Sequence, residues 1–326
     1  MTARMGYTTY LGFGVETSLG TAQQTPSTYV EYNSESFQKE FTEQVIEAIN
    51  GTRLPTKRVT LDESVSGSFE APMVPLMELT LFKHLSGCNY STVTGTGIYT
   101  HTFIVDTIAS NTSLTFQICR DTNATGTTMN YTGCRVSSAN FSVSAGGLLS
   151  GSYDLMGVDV ATATAAGTAS YGTENPYTFK DATISIGSGS AAAVSSSCVD
   201  NWSISINQAL VEDRCLGSAV RQRIEPGMAE ITGDFNMRYE DNTIMDVFLN
   251  QTKANITATF EGPSISATEN HSITFKAYNA YFNGSMPNVG SAGEIIKHTI
   301  PYRAIRESAV AGALEIKVVT TAATVT

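Results

Sequence analysis

The amino-acid sequence predicts a mainly β fold in which one module occurs twice. Three observations predict it. Apolar and polar residues alternate in many short segments, which is the period of a half-buried strand. Segments rich in Gly, Ser, Thr and Asn separate them, as turns do. The order strand, turn, strand, helix then appears at two places about half a chain apart, which indicates an internal repeat.

The first occurrence of this order lies in residues 51–87. Residues 58–61 and 65–69 alternate, and they predict two strands joined by a turn. Apolar residues then recur at steps of three and four, on one face of a predicted helix: Met73, Leu76, Met77, Leu81 and Leu85. Pro72 and Pro75 suit the first turn of that helix, and Gly87 suits its end.

The second occurrence follows residue 223. Residues 231–235 align with residues 65–69 position by position, and a helical face with Ile244, Val247 and Phe248 comes after them. Residues 138–141 also resemble residues 279–282. The chain is therefore expected to contain a first module at 27–158 and a second module at 177–320.

Within the first module, residues 29–49 predict strands, with a helix over 40–49 as the competing interpretation. The strict alternation of residues 202–207 in the second module favours strands in both. The remaining predicted strands are 99–105, 114–120, 133–143, 150–156, 179–186, 199–210, 255–260, 273–282, 294–305 and 314–319.

Three segments lie outside the two modules. Residues 1–26 predict an extended arm that contacts a neighbouring subunit, because Gly6, Gly12, Gly14 and Gly20 interrupt any regular element. Residues 159–176, small and weakly patterned, form either a linker or a long excursion. Residues 321–326 are a tail.

The composition excludes several classes of function. The 326 residues carry a net charge of −11, and no cluster of Lys and Arg is present, so the chain is not expected to bind nucleic acid. The five cysteines form no CxxC pair, which favours free thiols in the cytosol. Neither a signal peptide nor an apolar run of membrane-spanning length is recognisable.

The sequence predicts no catalytic residue, no metal site and no cofactor, and hence no enzyme. His84, His101, His271 and His298 form no ligand pair, and the GxSxG elbow is absent. Paired carboxylates occur at predicted turns or helix starts, where acid catalysis is not expected. Several N-x-S/T triplets leave a secreted β-rich adhesin as an alternative.

The chain resembles the tail tube proteins of long-tailed, siphovirus-type bacteriophages. The resemblance is carried by residues 12–21 (GFGVETSLGT), 50–53 (NGTR), the strand at 65–69 with its helix, and residues 176–182 (PYTFKDA). It implies that each module is a β-sandwich or barrel-type tube module with a flanking helix. It further implies a structural virion protein, assembled in the host cytoplasm, whose stacked rings form a tube for DNA.

Because two modules share one chain, the resemblance implies homotrimeric, pseudo-hexameric rings. The partners it implies are further copies and the tape measure, terminator and distal tail proteins, while DNA passes without specific binding. An acidic lumen would repel phosphate. The candidate lumen carboxylates are Glu35, Glu43, Glu47 and Asp200. Residues 1–26 and 88–97 are the candidate ring-to-ring contacts, and a decoration or tail-terminator protein is the alternative.

Overall fold

The computed structural model describes residues 5–23, 25–49, 51–75, 79–86, 90–94, 97–105, 113–122, 127–162, 166–187, 194–195, 199–284, 286–307, 312–323 and 325. It confirms the mainly β fold class. Two α-helices are present in these residues, α1 (Leu79–Ser86) and α2 (Thr243–Leu249). Neither is long and apolar enough to cross a bilayer, and this holds for every helix in the described residues.

The strands are distributed over both halves of the chain. Those of the first half are β1 (Tyr10–Val15), β2 (Thr28–Val30), β3 (Ser34–Glu35), β4 (Gln38–Ile46), β5 (Lys57–Pro72), β6 (Tyr90–Thr94), β7 (Tyr99–Val105), β8 (Leu114–Cys119), β9 (Thr128–Ser144), β10 (Ser150–Gly157) and β11 (Asp159–Thr162). Those of the second half are β12 (Ala182–Gly187), β13 (Val194–Ser195), β14 (Val199–Asn207), β15 (Val211–Asp213), β16 (Arg223–Glu225), β17 (Glu230–Arg238), β18 (Ala254–Ser264), β19 (Asn270–Phe282), β20 (Lys297–Ala304) and β21 (Leu314–Thr320).

One antiparallel sheet joins the two halves, and we call it the joint sheet. Its strands follow the order β4, β5, β10, β9, β14, β17, β20, with β3 preceding β4 along the edge of β5. The seam between the halves is the pairing of β9 with β14, where Asn201 lies opposite Ser144 and Asn207 opposite Ser138. The joint sheet is therefore continuous across the middle of the chain.

Two further sheets flank the joint sheet. One contains β2, β1, β8, β9 and β11, and the other β13, β12, β18, β19, β21, β7 and β6. The long strands β9 and β19 take part in two sheets each. Each bends at a residue with positive φ, Gly133 (φ 64°) in β9 and Asn279 (φ 46°) in β19, a conformation that Gly and Asn tolerate best.

The strands pair in the same order in the two halves. In the first, β1 pairs with β8, β8 with β9, β9 with β11 and β10, β10 with β5, and β5 with β4. In the second, β12 pairs with β18, β18 with β19, β19 with β21 and β20, β20 with β17, and β17 with β14. The hairpin β6–β7 stands outside this correspondence, and the hairpin β15–β16 lies in the segment that joins β14 to β17.

A single core cluster spans both halves. Phe141 from β9 contacts Phe275 from β19 with ring centroids 5.0 Å apart, and Trp202 from β14 lies 5.5 Å from the same ring. Helix α1 buries Phe82 against Phe141 at 5.7 Å. All four side chains are 1 % exposed or less. The strand alternation explains this, because every second residue of the joint sheet faces this cluster.

Residues 57–72 are one strand, so the predicted turn between 61 and 65 is wrong. The charged residues there have partners within the sheet: Glu63 lies opposite Phe41 and its carboxylate meets the Nζ of Lys39 at 2.6 Å. Asp62 forms an ion pair with Arg214. Pro72 ends this strand instead of starting a helix, and α1 begins at Leu79. Leu76, Met77 and Gly87 lie outside the described residues.

The expected irregularity of residues 1–26 is wrong for β1, which is almost wholly buried between β2 and β8. Gly12 is needed there for close packing, since a Cβ at this position would lie 2.7 Å from the Cβ of Pro26. Residues 159–162 of the expected linker form β11. The strand interpretation of residues 40–46 is confirmed by β4.

Candidate functional site: the polar face of the joint sheet

The face of the joint sheet opposite the core is polar along its whole width. Buried residues such as Phe69, Tyr153, Phe141, Ile204 and Phe235 alternate with half-buried or exposed ones in every strand. The second set is dominated by hydroxyl and amide side chains: Ser34, Ser36, Gln38, Ser66, Ser68, Ser138, Asn140, Ser142, Ser144, Ser150, Ser152, Asn201, Ser203, Ser205, Asn207, Thr232, Asn236 and Thr299. We call this surface the polar face.

Carboxylates outnumber cations on the polar face. Glu40, Glu70, Asp154, Glu230 and Asp234 lie on it. The cations that β17 and β20 place on this face each have an acidic partner: Arg238 meets Glu240 at 3.9 Å, Lys297 meets Asp200 at 2.6 Å and Arg303 meets Glu230 at 3.3 Å. Paired cations attract phosphate less than free ones do, so the polar face is a poor surface for holding a polyanion.

Hydrogen bonds between neighbouring strands hold several side chains of the polar face. Ser138 Oγ donates to a carboxylate oxygen of Asp154 at 2.6 Å, and the hydroxyls of Ser36 and Ser68 are 2.8 Å apart. Ser203 Oγ donates to Asp234 from the facing position of the next strand. A hydroxyl that bonds its neighbour has fewer groups left for a passing ligand. This surface therefore presents mainly polar groups, several of which are already hydrogen-bonded to one another.

No group of three or more His, Cys, Asp or Glu that could hold a metal ion occurs among the described residues. Of the cysteines, Cys119 and Cys134 are buried and Cys215 is exposed, each as a free thiol, while Cys88 and Cys198 lie outside the described residues. Burial, reinforced by the negative charge of Glu16, raises the pKa of the Cys134 thiol, which keeps it protonated and unreactive.

The four predicted lumen carboxylates lie at separate places. Glu35 stands opposite the buried Phe69 on the core-facing side of β3, where it meets Arg120 at 3.1 Å and accepts the Phe37 N–H at 2.9 Å. Glu43 pairs with Arg58 on the projecting part of β4, and Glu47 is exposed beyond the end of that strand. Asp200 sits at an irregularity of β14 beside Lys297.

No hydrogen bond or ion pair between described residues joins two of these four carboxylates. The serine-rich polar face itself was missed in the sequence, although a signal for it exists. Serine or asparagine occupies every second position in residues 138–144 and 201–207, which is a strand with one hydrated side.

A second missed feature is the segment 208–229, which we call the bridging excursion because it crosses from the second half onto the first. Arg221 donates from its Nη1 to the backbone oxygens of Val65 (2.7 Å) and Gly157 (2.8 Å) and pairs with Glu212. Glu63 N–H donates to Ala219 O at 3.0 Å. Ile224 is fully buried. These contacts fix the excursion against β5 and β10.

The described residues thus form a mainly β protein in which one sheet, shared by both halves, exposes a wide polar face. The family model for phage tail tube protein matches residues 6–304. The chain belongs to the phage tail tube protein family, and it is a structural component of the virion tail. No curated protein matches the chain.

Proposed function

We propose that the chain is a tube subunit of a siphovirus-type tail in which one tube module occurs twice. Three copies close into a pseudo-hexameric ring, and stacked rings form the conduit for DNA ejection. The observation that carries the proposal is the equal order of strand pairing in the two halves. A repeated module that joins its own copy edge to edge can join further copies in the same way.

The seam between β9 and β14 supplies the pattern for ring closure. In the first module, β3 and β4 lie beside β5, as β14 lies beside the equivalent strand β17 in the second module. Among the described strands, β3 and β4 pair with β5 on one side and have no neighbour along the other edge. An open strand edge favours pairing with another chain. In a closed ring, this edge meets the second module of the next copy.

The proposed module boundaries take account of the pairing. Because β1 corresponds to β12 and β11 to β21, the first module extends from Tyr10 to Thr162 rather than over 27–158. The second then spans Ala182 to Thr320. Residues 5–9 are left for contacts between rings, and so is the segment 88–97. This segment contains β6, and most of its side chains lie outside the described residues.

The polar face is the proposed wall of the lumen. Its hydroxyls and amides carry hydration water, and its net acidity prevents DNA from exchanging its counterions for protein cations. Glu43, Glu47 and Asp200 stay proposed lumen carboxylates, whereas Glu35 lies on the other side of β3 from this wall. Glu43 and Asp200 each have a cationic partner. Glu70, Asp154 and Asp234 therefore contribute more of the negative potential. The tape measure, terminator and distal tail proteins are the further proposed partners.

Electron microscopy of the purified protein tests this proposal. The expected result is tubes whose cross-sections have threefold symmetry close to sixfold, with a ring mass of three chains by light scattering. Rings or trimers that never lengthen would favour a decoration or terminator protein instead. A protein that stays monomeric at high concentration would refute the tube.

A further inference from the structure

The first module contains a counterpart of the bridging excursion. Lys39 lies opposite Val65 in the first half, and Ile206 lies opposite Ile231 at the corresponding place in the second. The chain between these paired positions is 25 residues long in the first half (40–64) and 24 in the second (207–230). The two segments thus leave equivalent strands at equivalent points and have nearly the same length.

The two segments differ in what they contact. The bridging excursion lies on the other module of its own chain. Its Arg214 pairs with Asp62, its Arg221 donates to the backbone oxygens of Val65 and Gly157, and its Ile224 is buried. Residues 40–64 instead form a hairpin from β4 and the first part of β5. Its distal part projects from the body, and we call it the free hairpin.

The free hairpin carries seven exposed large apolar side chains, on both faces and at its tip: Phe41, Val45, Ile46, Ile49, Leu54, Val59 and Leu61. Isolated exposed apolar residues are common, but a dense group on one projecting element marks a contact surface. The bridging excursion is the equivalent segment of the second module. It contacts the first module, which lies on the other side of the β9–β14 seam.

From this correspondence, and resting on the proposed ring of copies, we infer that the free hairpin docks on the second module of an adjacent copy of this chain. The receiving place is the one that corresponds to the seat of the bridging excursion. In the second module, Met228 and Ala304 correspond to Asp62 and Gly157 of that seat. Met228 precedes Ile231 by three residues, as Asp62 precedes Val65, and Ala304 lies opposite Ile231, as Gly157 lies opposite Val65.

The chemistry of the receiving place fits an apolar partner. Met228, at the position of Asp62, is 88 % exposed, and Ile305, next to Ala304, is 50 % exposed. The seat inside one chain thus contains the ion pair of Arg214 with Asp62, whereas the corresponding position of the receiving place is the apolar Met228. This difference keeps the free hairpin from competing for the seat that the bridging excursion occupies.

Aspartate variants on each side of the contact provide the test. Val59→Asp with Leu61→Asp disables the hairpin, and Met228→Asp with Ile305→Asp disables the receiving place. Leu148→Asp with Val289→Asp, at two other exposed apolar residues, is the matched control. Each disabling pair is expected to raise the concentration at half-assembly by about tenfold or more, as the loss of a central apolar contact does. The control should assemble as the wild type does, and all variants should keep the native Trp202 fluorescence.

Mixing the two disabled variants distinguishes a head-to-tail contact from a general loss of solubility. The receiving-place variant still has a good hairpin, and the hairpin variant still has a good receiving place. One working contact remains, so the mixture should give dimers by light scattering where each variant alone gives monomers. Assembly of both disabled variants at the wild-type concentration, or a mixture without dimers, overturns the docking inference and leaves the ring proposal standing. A wild type that does not assemble overturns the ring proposal, and the docking inference with it.

Discussion

Truncation of Phe141 tests whether the two halves unfold as one unit. Phe141 is fully buried at the seam, with the rings of Phe82 and Tyr153 at 5.7 Å and that of Phe275 at 5.0 Å. A Phe→Ala change in such a site costs about 3–5 kcal/mol, because surrounding side chains cannot fill the cavity. The only tryptophan, Trp202, belongs to the other half and touches Phe275. We therefore expect Phe141→Ala to lower the urea midpoint of Trp202 fluorescence.

The assay is urea unfolding of the unassembled protein, followed by fluorescence and far-ultraviolet circular dichroism. Phe13→Ala is the companion variant, since Phe13 is equally buried but lies in the flanking sheet of the first half, against Phe116 at 5.4 Å. In one cooperative unit both variants shift both signals together. If Trp202 fluorescence kept its wild-type midpoint in either variant, the two halves would unfold separately and the single core would be refuted.

Three further predictions concern the polar face, the bridging excursion and pH. Asn140→Lys with Ser205→Lys, two facing positions of the seam, should make assembled tubes retain DNA at low salt, as measured by co-sedimentation. Either lysine alone should retain more DNA than Thr268→Lys, which adds one equal charge on an exposed loop. Arg221→Ala leaves the backbone oxygens of Val65 and Gly157 without their charged donor, so the free energy of unfolding should fall by about 3 kcal/mol. Limited proteolysis of this variant should cut within 208–229 first, and a cleavage pattern like that of the wild type would contradict the prediction. Burial lowers the pKa of His271, so the unfolded state binds the proton more readily and the free energy of unfolding should fall as the pH drops below about 6.5. His271→Gln should reduce this dependence on pH, as measured by urea titrations at about pH 5 to 7.

The sequence predicts most strands correctly because period-two alternation depends only on local residues. It fails at β1 and β5, because the small residues of β1 and the charged residues of β5 are typical of loops and turns. Gly12 is explained only by the approach of Pro26, and Asp62 only by Arg214, more than 150 residues away. Such long-range partners have no local signal.

The candidate site was harder to predict than the fold, because the face on which a side chain lies depends on the register of its strand. A shift of one residue moves a side chain to the other face of a sheet. Glu35 therefore faces the core side, while Ser34 and Ser36 face outward. Asp200 falls at an irregularity where alternation no longer assigns a face. The polar face depends on β9 meeting β14, which no local pattern specifies.

The seam between β9 and β14 forms when a single chain folds, without a second molecule. In a ring of three copies, half of the lateral joints would therefore be complete before any encounter in solution. Only two encounters between molecules would then separate free chains from a closed ring, because the last joint closes within the trimer. The covalent linkage also frees the two modules to differ in sequence, so the rim of each ring would present two alternating kinds of surface to the proteins at either end of the tail.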